Sequence, residues 1–100
     1  MTKILAMCAV EPPPPERMRE IMLEEVQVVT QQYIEGKLEQ FWRREDGKGG
    51  VLLYAASSPA EAEAWVRELP LTREGFLTYE LIPMGPPTQL EFLIEASRKD

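Results

Sequence analysis

The chain contains no histidine and a single cysteine, Cys8, among its 100 residues. One cysteine cannot form a disulfide within the chain, and without histidine the sequence has no set of soft ligands for zinc. Positive charge is also scarce, because 11 basic residues stand against 17 acidic ones and the formal net charge is −6. Such a chain, without a basic stripe, repels nucleic-acid phosphates. We therefore predict no metal site, no cofactor and no nucleic-acid partner.

No apolar run is long enough to cross a bilayer. The first ten residues, MTKILAMCAV, are apolar, but a membrane-spanning helix needs about 20 such residues. The segment also lacks the charged start and small-residue cleavage site of a secretory signal. We predict a cytoplasmic protein with no membrane partner. A composition of 44% hydrophobic and 28% charged residues is typical of one globular domain, which we predict over residues 1–100.

Residues 3–10, KILAMCAV, are apolar on both alternating sets of positions, which predicts a strand with two apolar faces. A monomer with helices on one side of its sheet covers only one of those faces. The second face predicts a homodimer in which another subunit packs there. A larger sandwich is the alternative, but the chain is too short to supply many more strands.

Four consecutive prolines, 12–15, predict a stiff extended connector. From Pro15 or Glu16 to Glu35 the sequence has no breaker, and Gly36 is available as a left-handed helix cap. Several β-branched residues make a strand the alternative here, but the uninterrupted length favours a helix. Its predicted buried stripe consists of Met18, Met22, Val26, Val29 and Tyr33, with Ile21 and Leu23 at its margins.

A hairpin and a second helix follow. Loose alternation predicts a strand over 37–44, a glycine-rich turn over 45–50 and a short apolar strand over 51–56. Ser57 or Ser58 is the predicted cap of a helix over 59–69, which begins with one proline and is ended by Pro70.

Alternation returns over 76–84 and predicts a fourth strand, which Pro83 and the prolines after it stop. Residues 88–100 are predicted to be a C-terminal arm, in which 88–96 fits either a strand or a helix. Because one subunit has little core left for this apolar arm, we expect it to pack on a neighbouring subunit.

The central third of the chain resembles the muconolactone isomerase family. The resemblance rests on Gly36, the run Phe41-Trp42-Arg43, a glycine turn, Tyr54 in an apolar strand, a serine-capped helix and the exit Glu68-Leu69-Pro70-Leu71. It implies a ferredoxin-like βαββαβ fold of the α+β class, whose sheets pair face to face as a dimeric α+β barrel. It also implies a pocket in which a proton is moved on an unsaturated lactone acid. The family pattern has histidines in and just after the first strand of this stretch, and this chain has none.

Such a proton transfer needs a base with a pKa near neutrality, an enolate stabiliser and a cation for the substrate carboxylate. The predicted catalytic residues are Glu80, a base if burial raises its pKa, and Tyr54, a hydrogen-bond donor. Arg43 is predicted to hold the carboxylate, and Trp42 to wall the cavity. Glu80 comes from strand alternation alone, whereas the other three lie at or near positions that resemble the family pattern. A solvated or paired Glu80, a surface Arg43 and a half-buried Tyr54 are the purely structural alternatives.

The leading hypothesis is a cytoplasmic homodimer that binds a small organic acid or a polyketide-like ligand in an apolar pocket, with proton transfer on the ligand as the reaction that the resemblance implies. A ligand-binding or assembly module without catalysis is one alternative. A cofactor-free oxygenase or cyclase is another, because the same barrel hosts such activities. A pocket where Glu80, Arg43 or Tyr54 converge would favour an enzyme, and a solidly packed barrel would favour the assembly module.

Overall fold

The computed structural model describes residues 3–85 and 94–97, which contain a four-stranded sheet with helices packed on one side. The strands are β1 (Lys3–Val10), β2 (Leu38–Arg43), β3 (Gly50–Tyr54) and β4 (Leu77–Met84). The helices are α1 (Pro15–Ile34), α2 (Pro59–Arg67) and the single turn α3 (Pro70–Arg73). Neighbouring strands are all antiparallel, in the order β2-β3-β1-β4. The predicted βαββαβ fold of the α+β class is confirmed.

The strand β1 has the predicted bounds and lies in the middle of the sheet. Its residues Ile4, Ala6 and Cys8 are at most 1% exposed and face the helices. The alternate residues lie on the other side, where Met7 is 39% exposed. We call this side the open face, and the strand register adds these residues to it: Leu5, Ala9, Gln40, Trp42, Val51, Leu53, Thr78, Glu80, Ile82 and Met84.

The segment after the prolines is the predicted helix and not the alternative strand. It ends where Gly36 adopts a φ of +79°, a backbone conformation that glycine reaches at little cost. The N–H of Gly36 donates to the carbonyl of Tyr33 (3.1 Å), and the N–H of Lys37 donates to that of Gln32 (3.0 Å). These two bonds satisfy carbonyls of the last helical turn and turn the chain toward β2.

The predicted buried stripe of α1 was wrong in orientation. The fully buried residues of this helix are Ile21, Glu25 and Gln32, whereas Val26 is 59% and Tyr33 is 54% exposed. The stripe was chosen by hydrophobicity, so two polar residues that face the interior were excluded from it. A helix turned toward Glu25 and Gln32 must provide hydrogen-bond partners for both of them.

The second helical segment also differs from its prediction. Ser58 is the cap of α2, because its Oγ accepts the N–H of Glu61 at 3.2 Å. The helix ends at Arg67, and Pro70 opens α3 because proline is tolerated at a first helical position. The strand β4 continues through Pro83, which is compatible with an edge strand because its outer side needs no N–H.

The C-terminal arm predicted over 88–100 lies largely outside the described residues. Within it, residues 94–97 form one exposed helical turn, and the domain limits and the packing of the arm stay predictions. In the described part of the chain, no helix is both long enough and apolar enough to cross a membrane.

Replacing Ile21 by Ala tests the orientation of α1. Because Ile21 is 0% exposed, we expect Ile21→Ala to lower the free energy of unfolding by about 2–5 kcal/mol. The control Leu23→Ala removes a side chain that is 58% exposed and should cost about 0.5 kcal/mol or less. Urea unfolding measures both values, and equal losses would contradict the orientation described here.

Candidate functional site

A cleft of about 720 Å³ lies between α1 and the helix-covered face of the sheet. Four residues of α1 line one side, namely Met18, Met22, Glu25 and Val29. The sheet contributes Cys8, Phe41, Arg43, Leu52 and Leu77, and the approach to α3 adds Leu69 and Leu71. Among the described lining residues, Glu25 is the one acid and Arg43 the one base. The cleft is therefore a mostly apolar site with one group of each charge, as is usual for small-molecule sites.

Glu25 is a carboxyl group held in the wall of the cleft. It is 8% exposed, and its Oε1 accepts the backbone N–H of Leu71 at 3.0 Å. Burial raises the pKa of Glu25, while the bond from Leu71 and the charge of Arg73 oppose this rise. Within residues 3–85 and 94–97, the second oxygen, Oε2, makes no hydrogen bond. A carboxyl group beside a cleft, with its pKa raised by burial, is a candidate general base.

Cys8 lies in the same lining but differs in chemistry. It is 1% exposed, and its Sγ is 3.8 Å from the carbonyl oxygen of Ala6. Burial first, and then the nearby charge of Glu25, raise the pKa of Cys8 to about 12, although Arg44 acts in the opposite direction. The thiol therefore stays protonated at neutral pH, which removes its strength as a nucleophile.

Arg43 and Trp42 both border this cleft, as the sequence prediction requires of binding residues. Arg43 pairs with Gly50 and lies on the helix-covered side of the edge strand β2. Trp42 pairs with Val51 on the open face, but at the sheet edge it also borders the cleft and is 50% exposed. A guanidinium and an aromatic ring thus border the same cleft, and their roles in binding stay predictions.

Tyr54 is a core residue in this structure. It is 0% exposed, and its hydroxyl donates to Oε1 of Gln32 at 2.8 Å. Nε2 of Gln32 donates in turn to the carbonyl of Trp65, also at 2.8 Å. Burial raises the pKa of Tyr54 further above its ordinary value. Because Tyr54 does not border the cleft, this geometry gives no support to its predicted catalytic role.

Glu80 lies on the open face, across the sheet from the cleft. It is paired with Met7 and borders a shallow depression together with Ala9, Arg44 and Thr78. Its side chain is exposed rather than buried, so the burial that a basic role would require is missing in the single chain. The structure does not bring Glu80 together with Arg43, and its catalytic role stays a prediction.

A metal site has no obvious ligands in the described ranges, where no three acidic, cysteine or histidine side chains gather closely enough to hold an ion.

No protein-family model matches the chain, and no curated protein sequence matches it significantly. Solved structures do match. A muconolactone isomerase superposes with a TM-score of 0.72 at 16% sequence identity, covering 87% of this chain and 91% of the isomerase chain. This chain has a muconolactone isomerase-like fold. A 5-chloro-2-hydroxyhydroquinone dehydrochlorinase from Burkholderia phenoliruptrix, in complex with 2,5-dihydroxybenzoquinone, superposes with a TM-score of 0.59 at 14% sequence identity. The match covers 87% of this chain and 94% of the dehydrochlorinase chain.

The resemblance predicted from residues 36–71 is thus confirmed at the level of the muconolactone isomerase-like fold. Sequence reasoning missed Glu25, because a helical stripe was sought among hydrophobic residues only. One signal was available, since Ile21, Glu25, Val28 and Gln32 follow the three- and four-residue spacing of a single helix face. A polar residue at such a position is a candidate for a buried functional group.

Replacing Glu25 by Gln tests its burial in the ionised state. A raised folded pKa means that ionisation costs stability, so the cost is absent below the unfolded pKa of about 4.3 and grows as pH rises. Because Gln keeps an oxygen for the N–H of Leu71, we expect Glu25→Gln to stabilise the protein at pH 8 and the gain to shrink toward pH 4. Urea unfolding at both pH values measures the difference.

The matched control is Glu45→Gln, which removes the same charge from an exposed position in the hairpin turn. It should change the free energy of unfolding by about 0.5 kcal/mol or less at either pH. A gain for Glu25→Gln that is the same at both pH values would show that ionisation of Glu25 costs nothing.

Proposed function

We propose that this chain is a small proton-transfer enzyme, in which the cleft binds an unsaturated lactone or organic acid and Glu25 moves a proton on it. The observation that carries the proposal is the buried carboxyl of Glu25, whose pKa is raised and which borders an apolar cleft. Arg43 is the basic residue in the described lining of that cleft. Because the chain has no histidine, a carboxyl with a raised pKa takes the part that histidine usually plays.

The chemistry needs one group that both accepts and returns a proton. The ionised carboxylate of Glu25 takes a proton from the acidic carbon, and the C–H electron pair moves into the conjugated system to give an enolate. The protonated carboxyl of Glu25 exchanges its proton with solvent and then donates a proton to the other end of that system, so the double bond shifts. No redox partner is consumed, and the anchored Oε1 holds the side chain while Oε2 exchanges the proton.

Arg43 and Trp42 supply recognition in this proposal. A guanidinium binds a carboxylate through two parallel hydrogen bonds, which fixes the orientation of the ligand as well as its affinity. The aromatic ring of Trp42 and the thioethers of Met18 and Met22 suit a flat, polarisable ligand. The two structural neighbours point to the same size class: one is an isomerase of a lactone, and the other is bound to 2,5-dihydroxybenzoquinone.

The decisive experiment measures deuterium uptake at the lactone carbon of muconolactone in D₂O. We expect exchange above the buffer rate, with kcat/KM rising as pH rises through the raised pKa of Glu25. In Glu25→Gln, exchange should fall by about 10²-fold or more, because general-base catalysis contributes about 10²–10⁴-fold.

The control variant for exchange is Glu95→Gln, which removes the same charge at an exposed position outside the cleft lining and should exchange at the wild-type rate. Binding of the lactone without exchange would favour the ligand-binding module over the enzyme. If the lactone neither binds nor exchanges, the cleft is rejected as a site for this class of acid.

The open face supports a second part of the proposal, namely that two copies pair sheet to sheet. Met7, Trp42 and Met84 are 39%, 50% and 44% exposed on this face. Its charged groups include the ion pair of Lys3 with Glu39 at 2.5 Å, and Arg44 and Glu80 around the depression. An apolar sheet surface in water is stabilised by covering it, and a second copy offers the same apolar surface in return.

Replacing Met7 by Asp tests this pairing. Burial of an unpaired carboxylate between two sheets costs several kcal/mol, so the dimer dissociation constant should rise by about 100-fold or more. Ala64→Asp, an equal charge change at an exposed position of α2, should leave it unchanged. Sedimentation at micromolar concentration measures both, and a wild-type chain that stays monomeric would reject the dimer.

A further inference from the structure

The tip of the β2–β3 hairpin, residues 44–49, is held in one shape by its own hydrogen bonds. The N–H of Arg44 donates to the carbonyl of Gly49 over 2.8 Å. Oδ1 of Asp46 accepts the N–H of Lys48 at 2.9 Å, which closes the turn from inside. A loop with such internal bonds moves as a unit.

The same tip is bonded to the end of β1. The N–H of Val10 donates to the carbonyl of Lys48 over 2.7 Å. The side chain of Arg44 donates from Nη1 to the carbonyl of Cys8 at 3.3 Å, and from Nη2 to Oδ2 of Asp46 at 2.6 Å. A guanidinium satisfied on two sides ties the turn to the central strand.

A close backbone approach of Gly49 to Cys8 completes this attachment. A Cβ atom added to Gly49 would stand 2.1 Å from the carbonyl oxygen of Cys8, so any larger residue would push the tip off β1. Gly47, Gly49 and Gly50 also line the cleft. Backbone alone therefore forms this part of the lining, close against the strand that carries Cys8.

Arg43 depends on this arrangement through its position in the chain. It is the last residue of β2 and directly precedes Arg44, and the two side chains leave the strand on opposite sides. Arg43 borders the cleft, whereas Arg44 borders the depression on the open face. Any movement of the hairpin tip moves the backbone that carries Arg43.

We propose that the hairpin tip, held on β1 by Arg44 and by the lack of a side chain at Gly49, positions Arg43 for the carboxylate of the acid bound in the cleft. The inference rests on the proposed function, because it takes the cleft to be the site of a small carboxylic acid. Arg44 is a positioning residue, since it acts through the hairpin and not on the ligand.

Titration calorimetry with two monocarboxylates, benzoate and 4-phenylbutyrate, tests this positioning role. Arg44→Gln weakens the binding of both acids at least fivefold, because the loosened tip no longer fixes Arg43, and Asp46→Asn weakens it by less. Hydrogen exchange at the N–H of Val10 is at least tenfold faster in Arg44→Gln, whereas the N–H of Ala6 in the middle of β1 keeps its rate.

Arg19→Gln, an equal charge change at an exposed position of α1, keeps the wild-type affinity. Arg43→Gln weakens both acids by the same factor. If the wild-type protein binds the acids and neither Arg44→Gln nor Asp46→Asn changes their affinity, the positioning role is refuted while the cleft stands as an acid site. If the wild-type protein binds neither acid, the proposed function fails and this inference fails with it.

Discussion

The central strand β1, whose side chains point alternately to the two faces of the sheet, is the element on which the rest of the molecule depends. This strand lies between β3 and β4, and it carries apolar residues on both sides. Helices cover the row that contains Ile4, Ala6 and Cys8, which forms the centre of the core. Because Ala6 and Cys8 are small, they fill little of the volume above the sheet. The space left beside Cys8 belongs to the cleft, so one strand determines the core, the site and the open face.

Two polar residues of α1 face the interior with different consequences. Gln32 is 1% exposed, but it donates to the carbonyl of Trp65 and accepts from Tyr54. Its burial is compensated on both sides and stabilises the packing of α1. Among the residues that the structure describes, Glu25 makes one hydrogen bond, and it borders the cleft. A carboxylate buried with so little compensation costs stability, and such costs are concentrated at functional sites.

The elements of the fold could be read from local patterns. A continuous apolar run predicted the bounds of β1, and the length without a breaker before Gly36 was enough to distinguish a helix from a strand in α1. Turn glycines and a serine cap located the hairpin and α2. The errors fall where local rules are weak. Pro70 begins a helical turn instead of ending α2, which stops at Arg67, and Pro83 stays inside a strand because that strand lies at the sheet edge.

The sequence by itself determined the central strand with two apolar sides and the order of strands and helices, because periodicity and turn chemistry act over a few neighbouring residues. The fold class and a pocket bordered by Arg43 and Trp42 were implied by the family resemblance of residues 36–71. Only the tertiary structure decided which side of α1 faces the sheet, and with it the burial of Glu25. It also decided that Tyr54 lies in the core and Glu80 on the open face. Burial and pKa depend on residues distant in the chain, such as Leu71 for Glu25 and Gln32 for Tyr54. Contacts of that range leave no periodic signal in the sequence.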